Sequence, residues 1–388
     1  MPKQGMQTRE ILKDLIAFPT ISVAPNRALI DYCADLLQAV GADVTLIEAH
    51  GGKKANLYAT IGPRDRPGVL LSGHTDVVPI EGQNWSVPAF EMTQTDGKLF
   101  GRGTTDMKGF IASAIAAALS AAQLDLKTPL HLALSYDEEI GCIGVRSMID
   151  MLANAPFRPM FCIVGEPTDM GVATGHKGKT ACKVTCTGRE GHSALAPTAL
   201  NAIYLATDMI AAIRALQSEI AGKAGDQAYD VPYTTLHVGK IEAGVALNIV
   251  PNHASLMFEI RNLVGDVPES LLSHLRESAD QIIAPLRHDF PEAGIKFEIT
   301  NTYPPLDTDG DADVVRFVKS LTGSNATKKV AFGTEGGLFS RDLGISTVIC
   351  GPGSMAQGHK PDEYVSLVQL EKCDAMLAAL ISRLEAGV

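Results

Sequence analysis

An α/β fold is predicted: a mainly parallel sheet with helices on both faces, interrupted by an inserted ferredoxin-like (βαββαβ) domain. Three observations predict it. Short apolar runs alternate with helical patterns over the first half of the chain. The rhythm changes near Lys179 and returns after Pro305. The length, 388 residues, exceeds one comfortable hydrophobic core.

In chain order, helical periodicity covers Arg9–Phe18 and Leu29–Val40, and Asn56–Ile61 and Gly68–Leu71 are apolar strand runs. Met107–Ala122 is an Ala-rich helix, Leu130–Leu134 a strand, Gly144–Leu152 a helix and Phe161–Val164 a strand. Strands alternating with helices build a largely parallel sheet covered on both faces. The inserted segment reads as strand Thr180–Thr187, helix Ala199–Ile220, strands Tyr233–Ile241 and Ala254–Arg261, helix Pro268–Leu286 and strand Lys296–Thr302. That order is β-α-β-β-α-β. It gives a discontinuous domain of residues 1–178 and 304–388 around an inserted domain of residues 179–303. Helix Ala312–Leu321, strands Lys329–Phe332 and Ser346–Cys350, and helix Gln369–Leu384 complete the chain.

Composition narrows the function. Lys+Arg is 33 against Asp+Glu 44, a formal charge of −11. No basic patch is apparent, so nucleic acid is not an expected partner. Seven scattered cysteines suit buried thiols in a reducing compartment better than a disulfide framework. The first eighteen residues read as a charged amphipathic helix without the apolar stretch of a signal peptide. The most apolar helix, from Phe110, falls well short of the ~20 residues a membrane span needs. A soluble cytoplasmic protein that does not engage a membrane is expected.

Potential metal ligands follow the apolar strands. His74 and Asp76 sit in LLSGHTDVVP, Asp106 in GRGTTDMKG, and Glu138 and Glu139 in LALSYDEEIG. Glu166 ends CIVGEPTD, and His359 lies in the Gly-rich loop GPGSMAQGHKPDEY. Open α/β sheets bind ligands outside the carboxyl ends of their strands, so these groups can converge in one cleft. Imidazole and carboxylate donors without thiolate favour Zn²⁺, Co²⁺ or Mn²⁺. Two histidines and three carboxylates exceed the needs of one tetrahedral ion with an open position. They suffice for two ions ~3.5–4 Å apart if one carboxylate bridges. Asp76, two residues after His74, is placed to accept the imidazole N–H and orient the ring. Neighbouring Glu138 and Glu139 point apart in extended chain, so one can ligate while the other serves as general base.

HTDVVP, GRGTTDMKG, DEEIG, GEPT and GHKPDEY, taken together, resemble the aminoacylase-type di-zinc deacylases and exopeptidases, over almost the whole chain. The resemblance implies His74 and Glu166 on one metal, Glu139 and His359 on the other, and Asp106 bridging. It makes Glu138 the general base to a metal-bridging water and Asp76 the histidine-orienting acid. Two divalent ions are implied, zinc expected and cobalt possible. In the inserted domain, by the resemblance a lid and dimerisation domain, His192 of GREGHSALAP resembles a family histidine that reaches across a homodimer to the tetrahedral oxyanion. Asn248 and Arg261 resemble residues that grip the substrate carboxylate, for which the planar guanidinium fork is suited.

Local features lean toward the branch of the family that removes acetyl from N2-acetyl-L-ornithine, an arginine-biosynthetic reaction. They are the His359 loop and the Thr334-Glu335 pair in FGTEGGLF, with Glu335 expected to meet a cationic δ-amine. A desuccinylase of succinyl-diaminopimelate and a broad aminoacylase or carboxypeptidase are the sibling alternatives. A catalytically silent metal-bearing binding protein is the alternative of another class. Nucleotide binding is disfavoured, because the Gly-rich pieces lack phosphate-loop spacing.

Overall fold

The computed structural model describes residues 7–388; the first six residues of the predicted N-terminal helical stretch lie outside the described residues. The chain divides into two compact units. One comprises the chain up to Gly175, Leu306–Lys329 and Thr334–Val388; the other comprises His176–Pro305 and Val330–Gly333.

The first unit is built on a nine-stranded sheet. Its order is Asp43–Glu48, Ala55–Ile61, Leu130–Ser135, Val69–His74, Phe161–Pro167, Ser346–Gly351, Val172–His176 and Leu306–Asp307, with Thr327–Val330 also paired to Val172–His176. The four central strands, from Leu130–Ser135 to Ser346–Gly351, run parallel. Pairings on both sides of them are antiparallel, so the sheet is mixed, with its parallel character confined to the middle. The central strands Val69–His74 and Leu130–Ser135 are buried at every residue, as expected where both faces are covered. Their register pairs His74 with Ser135, which brings the polar residues that follow both strands to the same edge.

Helix Lys108–Ala121 owes its near-complete burial to composition. Its Ala, Gly and Ser residues let neighbours approach closely, and Phe110 fills the space above Gly165, where any Cβ would meet the Phe110 ring. Apolar faces of Thr8–Ile16, Arg27–Ala39 and Leu367–Ala386 close the same core.

The second unit carries a four-stranded antiparallel sheet ordered Thr235–Ala243, His253–Arg261, Lys179–Thr187, Gly294–Tyr303. Helices Ala202–Ala221 and Pro268–Ile283 supply the crossovers, giving β-α-β-β-α-β along the chain. Strand Lys179–Thr187 alternates buried and half-buried residues. Its inward Cys182, Val184 and Cys186 pack with Met209, Ile213 and Leu275 of the helices.

Three local differences from the sequence reading have physical causes. Edge strand Asp43–Glu48 has no fully buried residue, so it lacks the apolar run by which a strand is recognised. Helix Gly336–Leu343 begins with two glycines, which mask its periodicity. The strand expected at Lys329–Phe332 is found at Thr327–Val330, and Gly333 lies against the Tyr303 ring, where a Cβ would clash.

Buried His131 accepts or donates a 3.0 Å hydrogen bond with Thr60 and stacks on Tyr58. Burial pushes its pKa down to about 4. Between pH 6.5 and 4 the unfolded chain therefore takes up a proton that the folded protein refuses, and stability falls as pH falls. Chemical denaturation of His131→Asn against the parent across pH 4–7 should show a shallower loss of stability in the variant.

Candidate metal centre

Each ligand candidate of the first unit leaves the sheet at a strand end or lies in a loop beside it. His74 ends its strand, Glu166 lies near the end of Phe161–Pro167, and Glu138 and Glu139 follow Leu130–Ser135 in a turn. Asp106 precedes helix Lys108–Ala121, and His359 lies in the loop before the short strand Tyr364–Ser366. Asp137, Cys142, His359 and Asp362 all adopt positive φ (54–62°). Left-handed backbone at non-glycine residues is uncommon and tends to gather at functional sites.

Asp106 is central. Its Oδ1 lies 3.1 Å from His74 Nε2 and its Oδ2 3.1 Å from His359 Nε2, so each oxygen faces a different imidazole. His74 Nε2 is also 3.5 Å from Glu166 Oε1, and His359 Nε2 is 3.0 Å from Glu139 Oε2. Two sets of ligand atoms, each within 4.8 Å, share His74 among the described residues: His74–Asp106–Glu139 and His74–Glu138–Glu166. Glu138 and Glu139 thus turn toward different partners, although the segment carrying them is a turn, not extended strand. The Glu138 carboxylate accepts a hydrogen bond from the Cys142 thiol at 3.2 Å.

Asp76 acts differently from expectation. The nearest acceptor for His74 Nδ1 is the Asp76 main-chain carbonyl at 2.9 Å, while the carboxylate stands 3.6 Å away. That carboxylate instead accepts from the Glu138 amide at 3.0 Å, the Glu139 amide at 3.3 Å and the Ser22 hydroxyl at 2.7 Å. The side chain therefore shapes the turn that carries both glutamates. His74 keeps Nε2 as its ligating nitrogen, because Nδ1 is occupied.

Charge crowding dominates the electrostatics. Burial, then neighbouring carboxylates such as Asp106 or Glu139, raise the pKa values of Glu138 and Glu166. Burial would lower that of His74, but the carboxylates of Asp106 and Asp76 outweigh it and hold the value well above normal. Hydrogen bonds to Asp106 and Glu139 raise His359. Asp106, Glu139 and Glu166, buried or nearly so, form with two imidazoles a donor set that suits divalent cations, since oxygen and imidazole ligands are what zinc-class ions take. The residues present fit such a group.

Glu335 lies in the same field but is 2% exposed, with its oxygens taken by the Ser135 and Ser72 hydroxyls at 2.5 and 3.2 Å. Burial raises its pKa to about 7. It was expected to meet a substrate ammonium, and it is instead enclosed between two strand serines.

His192, Asn248 and Arg261 belong to the second unit. His192 pairs in a two-residue ladder with Ile249, and the Ser193 amide donates to the Asn248 carbonyl, so His192 and Asn248 are neighbours. His192 is exposed, and its Nδ1 accepts the Ala194 amide at 3.1 Å. The ring hydrogen must therefore sit on Nε2, which is left as a donor. The Arg261 guanidinium is engaged by Glu259 (3.0 and 3.3 Å) and the Tyr303 hydroxyl (2.8 Å).

Sequence reasoning missed Glu363 and Arg102. Both are buried, and the Glu363 carboxylate receives the amides of Gly103, Thr105 and Asp106. Their places inside GHKPDEY and GRGTTDMKG were the available signal.

The sequence pattern of the family described as peptidase family M20/M25/M40 matches residues 70–383. An acetylornithine deacetylase of Myxococcus xanthus is 35% identical over 384 residues, covering 98% of each chain. One from Pasteurella multocida (strain Pm70) is 33% identical over 383 residues, covering 96% of this chain and 97% of its own. The crystal structure of an M20 family metallo-carboxypeptidase, Sso-CP2 from Sulfolobus solfataricus, superposes with a TM-score of 0.77 at 18% identity, over 98% of this chain and all of that one.

Asp76→Asn replaces one acceptor oxygen by an NH₂ group facing a donor. It should cost about 1–3 kcal/mol of stability, read as a lowered thermal midpoint.

Proposed function

The chain belongs to peptidase family M20/M25/M40, a metal-dependent hydrolase, and we propose that it removes the acetyl group from N2-acetyl-L-ornithine at a two-metal site. The observation that carries the chemistry is Asp106, with one carboxylate oxygen toward each histidine and Glu138 grouped with His74 and Glu166. The substrate rests on the relatives named acetylornithine deacetylase at 32–35% identity over nearly the whole chain.

His74 and Glu166 would hold one ion, Glu139 and His359 the other, with Asp106 between them. Zinc is the expected metal and cobalt the alternative. Bound there, two divalent cations supply Lewis acidity toward the scissile carbonyl and ease deprotonation of water. Glu138 takes the proton from the attacking water and returns it to the departing α-amine, so the amide C–N bond breaks to give acetate and ornithine. The Asp76 carboxylate fixes the turn from which Glu138 works. The partner subunit's His192 presents its Nε2–H to the carbonyl oxygen as negative charge develops. Arg261 and Asn248 receive the substrate carboxylate, with Arg261 sharing its fork between Glu259 and the ligand.

This role for His192 requires a homodimer through the second unit, which is part of the proposal. Val245 and Leu247 are 93% and 101% exposed, and Leu195, Tyr204 and Ile249 add apolar surface on the same unit. A cytoplasmic location is consistent with buried thiols, and no helix among the described residues is long and apolar enough to cross a membrane.

A substrate panel tests the reading: acetylornithine, succinyl-diaminopimelate, acetylmethionine and a dipeptide, assayed with zinc or cobalt. Acetylornithine should give the highest kcat/KM, and a higher value for another member assigns the chain to a sibling activity. Glu335→Gln in the same panel shows whether selectivity depends on that enclosed carboxylate. Chelation should abolish turnover, and zinc or cobalt should restore it. Glu138→Gln should lower kcat by about 10²–10⁴-fold with little change in KM. Leu247→Asp should convert the dimer to monomer in sedimentation and reduce activity with it.

A further inference from the structure

We propose that Glu363 and Arg102 are positioning residues that lock the two loops bearing Asp106 and His359 into one spacing, and so set the affinity of the metal held between them. The inference rests on the metal-site reading above.

Glu363 is 1% exposed, and its oxygens are fully engaged. Oε1 accepts the amides of Gly103 (3.1 Å), Thr105 (3.0 Å) and Asp106 (3.0 Å), a concave nest of N–H groups around one anion. Oε2 accepts from Arg102 Nη1 at 2.6 Å. The main chain continues the join: the Gly101 amide donates to the Glu363 carbonyl, and the Thr105 hydroxyl to that of Tyr364.

Arg102 then reaches the histidine side. Its Nη1 lies 3.3 Å from the Lys360 carbonyl, and Nη2 donates to the Gln83 side chain at 2.5 Å. The Gln83 amide donates to the His359 carbonyl at 2.9 Å. Trp85 donates to the same Gln83 oxygen and lies under the guanidinium, 5.0 Å from ring centre to Cζ. One continuous path of hydrogen bonds therefore runs from the Asp106 amide through Glu363, Arg102 and Gln83 to the His359 carbonyl. Neither Glu363 nor Arg102 hydrogen-bonds to a ligand atom of the cluster; they hold its backbone.

Energetics favour a geometric role over a stabilising one. A buried ion pair contributes little net stability, since desolvation offsets the attraction, and a well-packed apolar pair of similar size does as well. What the ion pair supplies is a single arrangement. His359 is half exposed at positive φ, and the path adds side-chain anchors on both sides of its loop to the pairing of Tyr364 with Phe100. Loss of supporting partners around metal ligands typically costs 10–100-fold in affinity.

The test is Co²⁺ titration of metal-stripped protein, followed by calorimetry and visible absorption, with thermal unfolding of each apoprotein alongside. The parent should bind two Co²⁺ ions. Glu363→Gln should weaken one of the two steps by about 10–100-fold and alter its absorption band. Arg102→Lys, which keeps the charge and loses the fork, should weaken the same step. Leu37→Ala, a core truncation, measures merely structural damage: it should lower the unfolding midpoint and leave both affinities unchanged. Two Co²⁺ steps in Glu363→Gln identical to those of the parent would overturn the proposal. Absence of Co²⁺ binding by the parent would instead overturn the metal-site reading. Should Glu363→Gln fail to fold, Gln83→Ala cuts the path between Arg102 and His359, with the acceptor of Trp85, while leaving Glu363 in place, and must still weaken that step; unchanged affinity there also refutes the proposal.

Discussion

Burying several like charges together is the constraint on which the structure depends. Asp76, Asp106, Glu138, Glu139 and Glu166 lie beside two imidazoles at the edge of one sheet. Isolated carboxylates resist such an environment, so each must be held by donors or shared with cations. Much of the surrounding fold answers that need. Asp76 collects two amides and a hydroxyl, Glu363 collects three amides and a guanidinium, and Glu335 collects two serines. The parallel centre of the sheet brings the strand ends into line, and the antiparallel flanks widen it without adding chemistry at that edge.

How much of this was legible in the sequence depends on how local the signal is. The central strands are continuous apolar runs, and the ligands follow them at once, so both were readable. The βαββαβ order was readable because its strands and helices are long and the two inner strands carry clear apolar patterns. Asp106 could be singled out by its Gly-flanked motif. The division of labour within Asp76 was not readable, because the choice between its carbonyl and carboxylate turns on a difference of 2.9 against 3.6 Å. The enclosure of Glu335 depends on Ser72 and Ser135, which lie 263 and 200 residues away in sequence and were read only as strand residues ahead of the ligands. Arg102 and Glu363 were overlooked for a similar reason. A charged residue in a loop reads as solvated until the fold shows it buried.

The second unit rests on different physics. Its sheet is covered by two helices, and its core is ordinary alternation of inward apolar residues. Its chemistry-bearing groups are few and surface-placed. The His192 ring has its tautomer set by a main-chain amide two residues on, which costs no buried charge. Arg261 is part of an ion pair within its own strand, so a carboxylate ligand there competes with Glu259 and does not meet an idle cation.

The hydrogen bond from the Asp106 amide to Glu363 spans 257 residues of sequence. A ribosome that has made the Asp106 loop must therefore complete the inserted unit and most of the C-terminal segment before the loop gains its anchor. Non-local closure of this kind comes late in assembly. A nascent chain carries His74, Asp106, Glu139 and Glu166 for about half of its synthesis without a finished centre. Truncation before Glu363 would remove that anchor together with helix Leu367–Ala386, whose apolar face closes the main core.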